Sequence, residues 1–217
     1  MKSLLAILGF ESVLGLLLFG TAGRLDLPWF WALLAAHSLM MLVGLNIIDP
    51  GLKKERLRPG GPGLDRGFRP MLLILALAHL VIAGLDAGRF GWSPAIPASA
   101  RGAALVVYVA GFGLSLWAIW ANRFFSPVIR LQTERGHHLI RGGPYAYIRH
   151  PGYVGLLLCL SSEAIVLGSL WSLLPVLPFA LTVIRRTLLE DRFLRDNLTG
   201  YADYALAVRY RMAPGVW

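Results

Sequence analysis

Apolar residues fall along this chain in runs long enough to cross a bilayer, separated by short cation-bearing segments. The runs cover roughly Ser3–Gly20, Pro28–Ile48, Met71–Leu85, Gly102–Ala121, Gly152–Leu167 and Leu170–Ile184. A spanning helix needs about 20 apolar residues, within about 17–25. The second and fourth runs meet that length easily. The last two are short, and only Gly168–Ser169 lies between them. They read as a tight helical hairpin, with Pro175 and Pro178 kinking the second arm. The pattern predicts an all-α, polytopic transmembrane helical bundle of five or six spans, with six favoured.

Lysine and arginine give the expected direction. The segment Asp49–Pro70 carries Lys53, Lys54, Arg56, Arg58, Arg66 and Arg69. Asn122–His150 carries Arg123, Arg130, Arg135, Arg141 and Arg149, and the tail from Arg185 carries six more cations. The alternate loops hold only Arg24, then Arg89 and Arg101. The positive-inside rule puts the rich segments in the cytoplasm. Six spans with both termini cytoplasmic satisfy every loop. The first run follows a single Lys and lacks a small-x-small cleavage site, so it reads as a retained span rather than a signal peptide.

Composition agrees. Of 217 residues, 56% are hydrophobic and 15% charged, with a mean hydropathy of +0.61. A soluble domain would be nearer 45–50% apolar and about 25% charged. The single cysteine, Cys159, excludes an internal disulfide framework. The net charge of +9 lies in loops between apolar runs. That placement points to anionic membrane lipids rather than nucleic acid.

Two regions separate by content. Residues 1–101 hold three spans with generic loops, among them the turn-rich stretch Arg58–Gly67. Residues 102–217 hold nearly all the patterned chemistry. Ionisable groups inside the runs are Glu11, His37, His79 and Glu163, each of which reads first as a cross-helix or interfacial group. His137, His138 and His150 lack a carboxylate or thiol to complete a metal site, so no metal is expected. A phosphate loop, a nucleophile elbow and a GxGxxG are all absent from the sequence.

The informative segment is Gln132–Gly155, QTERGHHLIRGGPYAYIRHPGYVG. Pro151 biases His150 to an extended backbone and suits the first position of a helix. A helix beginning there presents free N–H groups to a carboxylate or phosphate. Arg149 stands beside it, and Tyr145 and Tyr153 offer faces that attract cations. The same residues also suit plain interfacial anchoring. A second segment, Arg185–Leu194, puts Arg186 and Glu190 on one helical face. They form either a surface pair or a wall of a pocket shared with the RHPGY run. Asp191 points about 100° away and is the weaker candidate. Tyr201, Tyr204, Ala205 and Val208 recur at helical spacing, as in a cytoplasmic C-terminal amphipathic helix lying on the membrane or over that pocket.

Together these segments resemble the isoprenylcysteine carboxyl methyltransferase family and the related phospholipid N-methyltransferases. The residues that carry the resemblance are Gly136–His137, Leu139, Gly143–Pro144–Tyr145, Tyr147, Arg149–His150–Pro151, Tyr153 and Gly155, then Arg186, Glu190 and Gly200–Tyr201 with Tyr204. The match covers about residues 122–217. The resemblance implies an integral membrane enzyme whose methyltransferase core is 102–217 and whose cofactor is S-adenosyl-L-methionine. It implies cofactor contacts at Gln132, His137, His138, Leu139, Ile140, Tyr145, His150, Pro151, Gly152, Tyr153 and Glu190. Arg186 is placed near the acceptor, and Arg149, Arg186 and Glu190 are the expected catalytic groups. The family often has Glu-Glu where this chain has Glu190–Asp191. The expected partner is a lipophilic small-molecule or lipid acceptor. A phospholipid amine or a small thiol is the alternative acceptor, and a transporter or structural membrane protein is the alternative outside enzymes.

Overall fold

Proline and apolar side chains set most helix boundaries. In this computed structural model, residues 2–61 and 63–217 are described, without the side chains of 2–4 and 6. The helices are α1 (Lys2–Ala22), α2 (Pro28–Ile47), α3 (Pro50–Leu57), α4 (Phe68–Gly84), α5 (Ala98–Ala121), α6 (Pro151–Leu167), α7 (Val176–Asn197) and α8 (Tyr201–Ala207). Pro28, Pro50 and Pro151 each open a helix, where a missing N–H costs nothing. Asp49 caps α3 by accepting from the Leu52 N–H at 3.0 Å. A π-helical turn, Leu85–Phe90, extends α4. No strand occurs among the described residues, only one bridge between Leu64 and Ile129.

Among the described residues, four helices are long and apolar enough to cross a membrane: Pro28–Ile47, Phe68–Phe90, Ala98–Ala121 and the region Trp171–Asn197. Ile7–Ala22 and Pro151–Leu167 are shorter apolar helices. The expected kinked arm after Gly168–Ser169 takes a different form. A turn through Gly168 and a 3-10 turn at Trp171–Leu173 precede Pro175, which caps α7. Pro178 then falls in the first helical turn, where backbone N–H groups have no partner within the helix. α7 therefore runs without a break from the apolar segment through Arg186 and Glu190.

The loops collect at two ends. At one, Glu55 of α3 pairs with Arg130 at 2.7 Å, and Asp65 pairs with Arg185 at 2.9 Å and with Arg186 at 3.5 Å. The Arg58–Gly67 stretch thus does more than turn, because its Asp65 ties it to α7. At the other end, Asp86 accepts from Ser93 and Ser169, and His79 bonds the Ser172 carbonyl at 2.8 Å. Inside the bundle, Glu11 of α1 meets His37 of α2 at 2.6 Å.

Leu18, Phe30, Leu33, Ala83, Tyr108 and Val166 form a core drawn from both halves of the chain. α5 and α6 pack backbone to backbone at Gly111 and Gly155. A Cβ on Gly155 would lie 2.3 Å from the Gly111 carbonyl oxygen, so only glycine permits this approach.

Candidate cofactor and active site

The loop between α5 and α6 is folded by its own polar groups. Gln132 is fully buried. Its side-chain amide donates to the Phe124 carbonyl at 2.6 Å and accepts from Arg135. Its backbone N–H donates to His137 Nδ1 at 3.2 Å. That bond makes Nδ1 the acceptor and leaves the His137 proton on Nε2. Burial, reinforced by His138, Arg130 and Arg135, pushes His137 down from 6.5 to about 4. The imidazole is therefore neutral near pH 7, and it stacks on Phe124 with ring centroids 4.5 Å apart.

The GPY turn follows. Tyr145 is buried and donates to the Ala118 carbonyl at 3.3 Å, while its own carbonyl accepts from Tyr204 at 2.7 Å. Burial raises the Tyr145 phenol, so it acts as a neutral donor and an aromatic face. Arg149 and His150 are then held by the tail, their N–H groups donating to the carbonyls of Tyr210 and Arg211. α6 starts at Pro151, and α7 passes alongside. Tyr153 donates its phenol to Glu190 Oε2 at 2.6 Å.

These elements enclose a cavity. Its walls include Phe124, Phe125, His137, His138, Leu139, Ile140, Tyr145, Arg149, His150, Gly152, Tyr153 and Glu190, with Tyr201 and Tyr204 of α8. The two sequence-distant segments therefore meet. α8 lies over the cavity, its Tyr201, Tyr204 and Ala205 packed against Leu139, Leu194 and Leu198. Three expected site residues lie behind the wall. Gln132 organises the loop, Pro151 starts α6, and Arg186 backs Tyr153. Arg186 is 1% exposed. It donates to Tyr153 Oη at 3.1 Å, to the Pro127 carbonyl at 3.2 Å and to the Asp65 carbonyl at 3.4 Å. It also lies 4.7 Å from the Phe68 ring centroid.

Arg149 touches the cavity, but its guanidinium is largely committed. It forks onto Asp191 at 2.8 and 3.1 Å and donates to the Val208 and Arg209 carbonyls. Asp191 also accepts from Tyr201 at 2.9 Å and Arg211 at 3.1 Å. The 100° rotation does take Asp191 away from Tyr153, and on its own side it gathers the tail, α8 and Arg149. Periodicity along α7 carried no signal for this, because the partners come from segments that fold back. Phe124 and Phe125 carry no motif in the sequence that marks them as wall residues.

Among the described residues, no cluster of three His, Cys, Asp or Glu could hold a metal. The walls do fit a sulfonium cofactor. Tyr145 and Tyr153 supply faces for a cation, and Glu190 supplies a carboxylate. His150 Nε2 is buried without a hydrogen-bond partner, and it stands 3.6 Å from Asp191, too far to be satisfied by it.

A second cavity of about 590 Å³ lies within the bundle. Leu14, Leu33, Leu72, Phe112, Leu156 and Phe179 are among its mostly apolar walls, and Lys53, Arg56, His37 and Glu163 also line it.

The fold and the two cavities define an apolar helical bundle whose polar loops close over a compact aromatic site. Residues 100–199 match the family model described as phospholipid methyltransferase. Two curated relatives, each named probable protein-S-isoprenylcysteine O-methyltransferase, come from Oryza sativa subsp. indica and subsp. japonica. Each is 33% identical over 100 residues, covering 43% of this chain and 50% of the relative. The chain thus spans about half the length of the curated relatives it matches. A solved structure described as the eukaryotic intramembrane Ras methyltransferase, isoprenylcysteine carboxyl methyltransferase, shares the fold. The TM-score is 0.59 at 21% identity, over 94% of this chain and 74% of that one. In sequence and in fold the chain resembles the isoprenylcysteine carboxyl methyltransferase family and its phospholipid methyltransferase relatives.

Proposed function

We propose that this protein is an integral membrane methyltransferase that uses S-adenosyl-L-methionine to methylate a lipophilic acceptor, in the manner of isoprenylcysteine carboxyl methyltransferases. The observation that carries the reading is the 2.6 Å bond between Tyr153 and Glu190 on the wall of a cavity built from the segments of the resemblance. When bound, the cofactor supplies a methyl group on a positively charged sulfur. Tyr145 and Tyr153 would face that cation. Glu190 would accept a hydrogen bond or balance charge, and the Gly152 end of α6 would receive a carboxylate. His137, His138, Leu139 and Ile140 line the opposite wall, and Gln132 holds their loop in shape. Arg186 orients Tyr153 and so acts as a positioning residue, and Arg149 fixes the wall beside His150.

With a carboxylate acceptor, one oxygen would take the methyl group from sulfur, the electron pair of the broken S–CH3 bond staying on sulfur, to give a methyl ester and a thioether. No proton need move, so orientation and exclusion of water account for most of the acceleration. The α8 lid and the buried aromatic walls serve both. The apolar cavity among the helices suits the lipid part of the acceptor.

The reading includes six passes with both termini cytoplasmic. Its support is the clustering of the cation-rich loops at one end of the bundle. Cysteine labelling is expected to place positions near Arg141 and Arg195 on the cytoplasmic side, and labelling from the opposite side would refute this.

The test of function is binding of S-adenosylhomocysteine to detergent-purified protein, then to Tyr153→Ala and Glu190→Ala. Binding by the wild type and loss in both variants is expected. Three identical results would refute the site. The match to phospholipid methyltransferases favours an amine acceptor as the second reading. Labelled methyl donor offered with a prenylated cysteine, phosphatidylethanolamine or a small thiol separates the acceptors by product.

A further inference from the structure

We propose that Arg56, in the half of the chain outside the family match, is the residue that binds the acceptor's carboxylate. This rests on the methyltransferase reading and extends it to acceptor recognition.

Two arginines stand beside the cofactor cavity, and both are already engaged. Arg186 spends its donors on Tyr153, Asp65 and Pro127, and Arg149 is held by Asp191 and by carbonyls of the tail. An anionic acceptor reaching the site therefore needs another cation. Arg56 lies on α3, and its side chain lines the apolar cavity at the end that also holds Lys53, Ile48 and Leu45. Lys53 is engaged with the Leu45 carbonyl at 2.6 Å. Among the described residues, the Arg56 guanidinium has no carboxylate and no hydrogen-bond acceptor.

What Arg56 does touch is the partition between the two cavities. Its guanidinium lies over the Phe125 ring, 5.2 Å from the centroid. Phe125 in turn lines the cofactor cavity and packs so closely on Gly152 that a Cβ there would be 2.8 Å from the ring. Arg56 thus stands on the apolar side of an aromatic plate whose other contacts are the start of α6 and the cofactor site. Burial, with Arg69 adding to it, pushes the guanidinium down, so its charge is poorly solvated and gains from an incoming anion. A half-buried arginine stacked on an aromatic ring keeps its donor edge free for bidentate binding of a carboxylate. The lipid tail would extend past Leu72, Leu156 and Phe179 into the bundle.

The experiment measures binding directly, so it does not depend on turnover. The probes are N-acetyl-S-farnesylcysteine, its carboxamide and farnesyl phosphate, added to full-length protein saturated with S-adenosylhomocysteine. The wild type is expected to prefer the acid over the amide by about tenfold or more, the scale of a charge-assisted hydrogen bond. Arg56→Gln is expected to lose that preference while binding S-adenosylhomocysteine as before, and Arg56→Lys to keep part of it. Retention of the preference in Arg56→Gln would overturn the proposal. So would an equal loss for acid and amide, which would make Arg56 only a packing residue against Phe125. A stronger preference for farnesyl phosphate than for the acid, removed by Arg56→Gln, would overturn the carboxylate assignment in favour of a phosphate-bearing lipid. Failure of the wild type to bind S-adenosylhomocysteine would instead refute the methyltransferase reading, and it is read separately.

Discussion

Asp191→Ala is expected to disturb the cofactor site strongly, although Asp191 does not line the cavity. Its carboxylate, with 3% of the side chain exposed, accepts from Arg149 at 2.8 and 3.1 Å, from Tyr201 at 2.9 Å and from Arg211 at 3.1 Å. Alanine would leave the Arg149 guanidinium buried with backbone carbonyls but without its counter-ion. Removing one partner of a buried pair costs about 3–5 kcal/mol. For a chain of this length each kcal/mol shifts Tm by about 2–4 °C, so the melting point should fall by about 6–20 °C. The loss is local as well, because Arg149 and Tyr201 both line the cavity and the tail that holds His150 is tied through Arg211. S-adenosylhomocysteine affinity should fall by at least about tenfold, which is about 1.4 kcal/mol. Asp191→Asn should lie between wild type and alanine, since it keeps the shape and some acceptor capacity. The assays are thermal melting in detergent and ligand titration, with the exposed Asp196→Ala as control. If Asp191→Ala melts and binds as Asp196→Ala does, the carboxylate is not what holds the tail against the site.

Gly152→Ala should weaken S-adenosylhomocysteine binding by about tenfold or more, because the new methyl would meet Phe125 ring atoms at 2.8 Å and drive the ring toward the cavity. Titration checks this, and unchanged affinity would mean that Phe125 yields freely. Gly155→Ala should cost about 1–3 kcal/mol of stability by overpacking, read as a lower melting point with no change in acceptor preference. The third concerns pH. His137 is held near 4 in the fold against 6.5 when free, so the unfolded chain takes up a proton first. Its contribution is intact above pH 6.5 and falls as pH drops toward about 4. Melting curves from pH 7 to 4 should show a shallower slope for His137→Gln, and an identical slope would refute the assignment.

The bundle and half of the site were legible because their signals are local. The apolar runs marked the helices, Pro151 marked the start of α6, and the four-residue spacing put Arg186 and Glu190 on one face. The meeting of Tyr153 with Glu190 stood in the residues as one of two alternatives, a surface pair or a shared pocket wall, and the resemblance favoured the second, since no helical periodicity relates α6 to α7. Asp191 was demoted by a correct rotation argument applied to one neighbour, whereas its partners Arg149, Tyr201 and Arg211 lie on three other segments. Arg149 looked available to an anion because it stands beside the start of α6, and only the folded tail shows its donors taken. Asp65 was hidden inside a glycine- and proline-rich stretch, whose composition describes a turn and carries no trace of the α7 arginines it meets. Arg56 looked like one of six interfacial cations until the packing set it against Phe125.

The contact at Gly111 and Gly155 bears on how a lipid reaches the interior. With a carbonyl of one helix pressed against the other's backbone, α5 and α6 behave as one welded slab, and no acyl or prenyl chain slips through that seam. Traffic between the bilayer and the chamber must use a different gap. The Met41 and Leu45 side of α2 and the Leu72, Leu73 and Ala76 side of α4 border the chamber, and bulky substitutions there, rather than on the slab, are where uptake would be throttled.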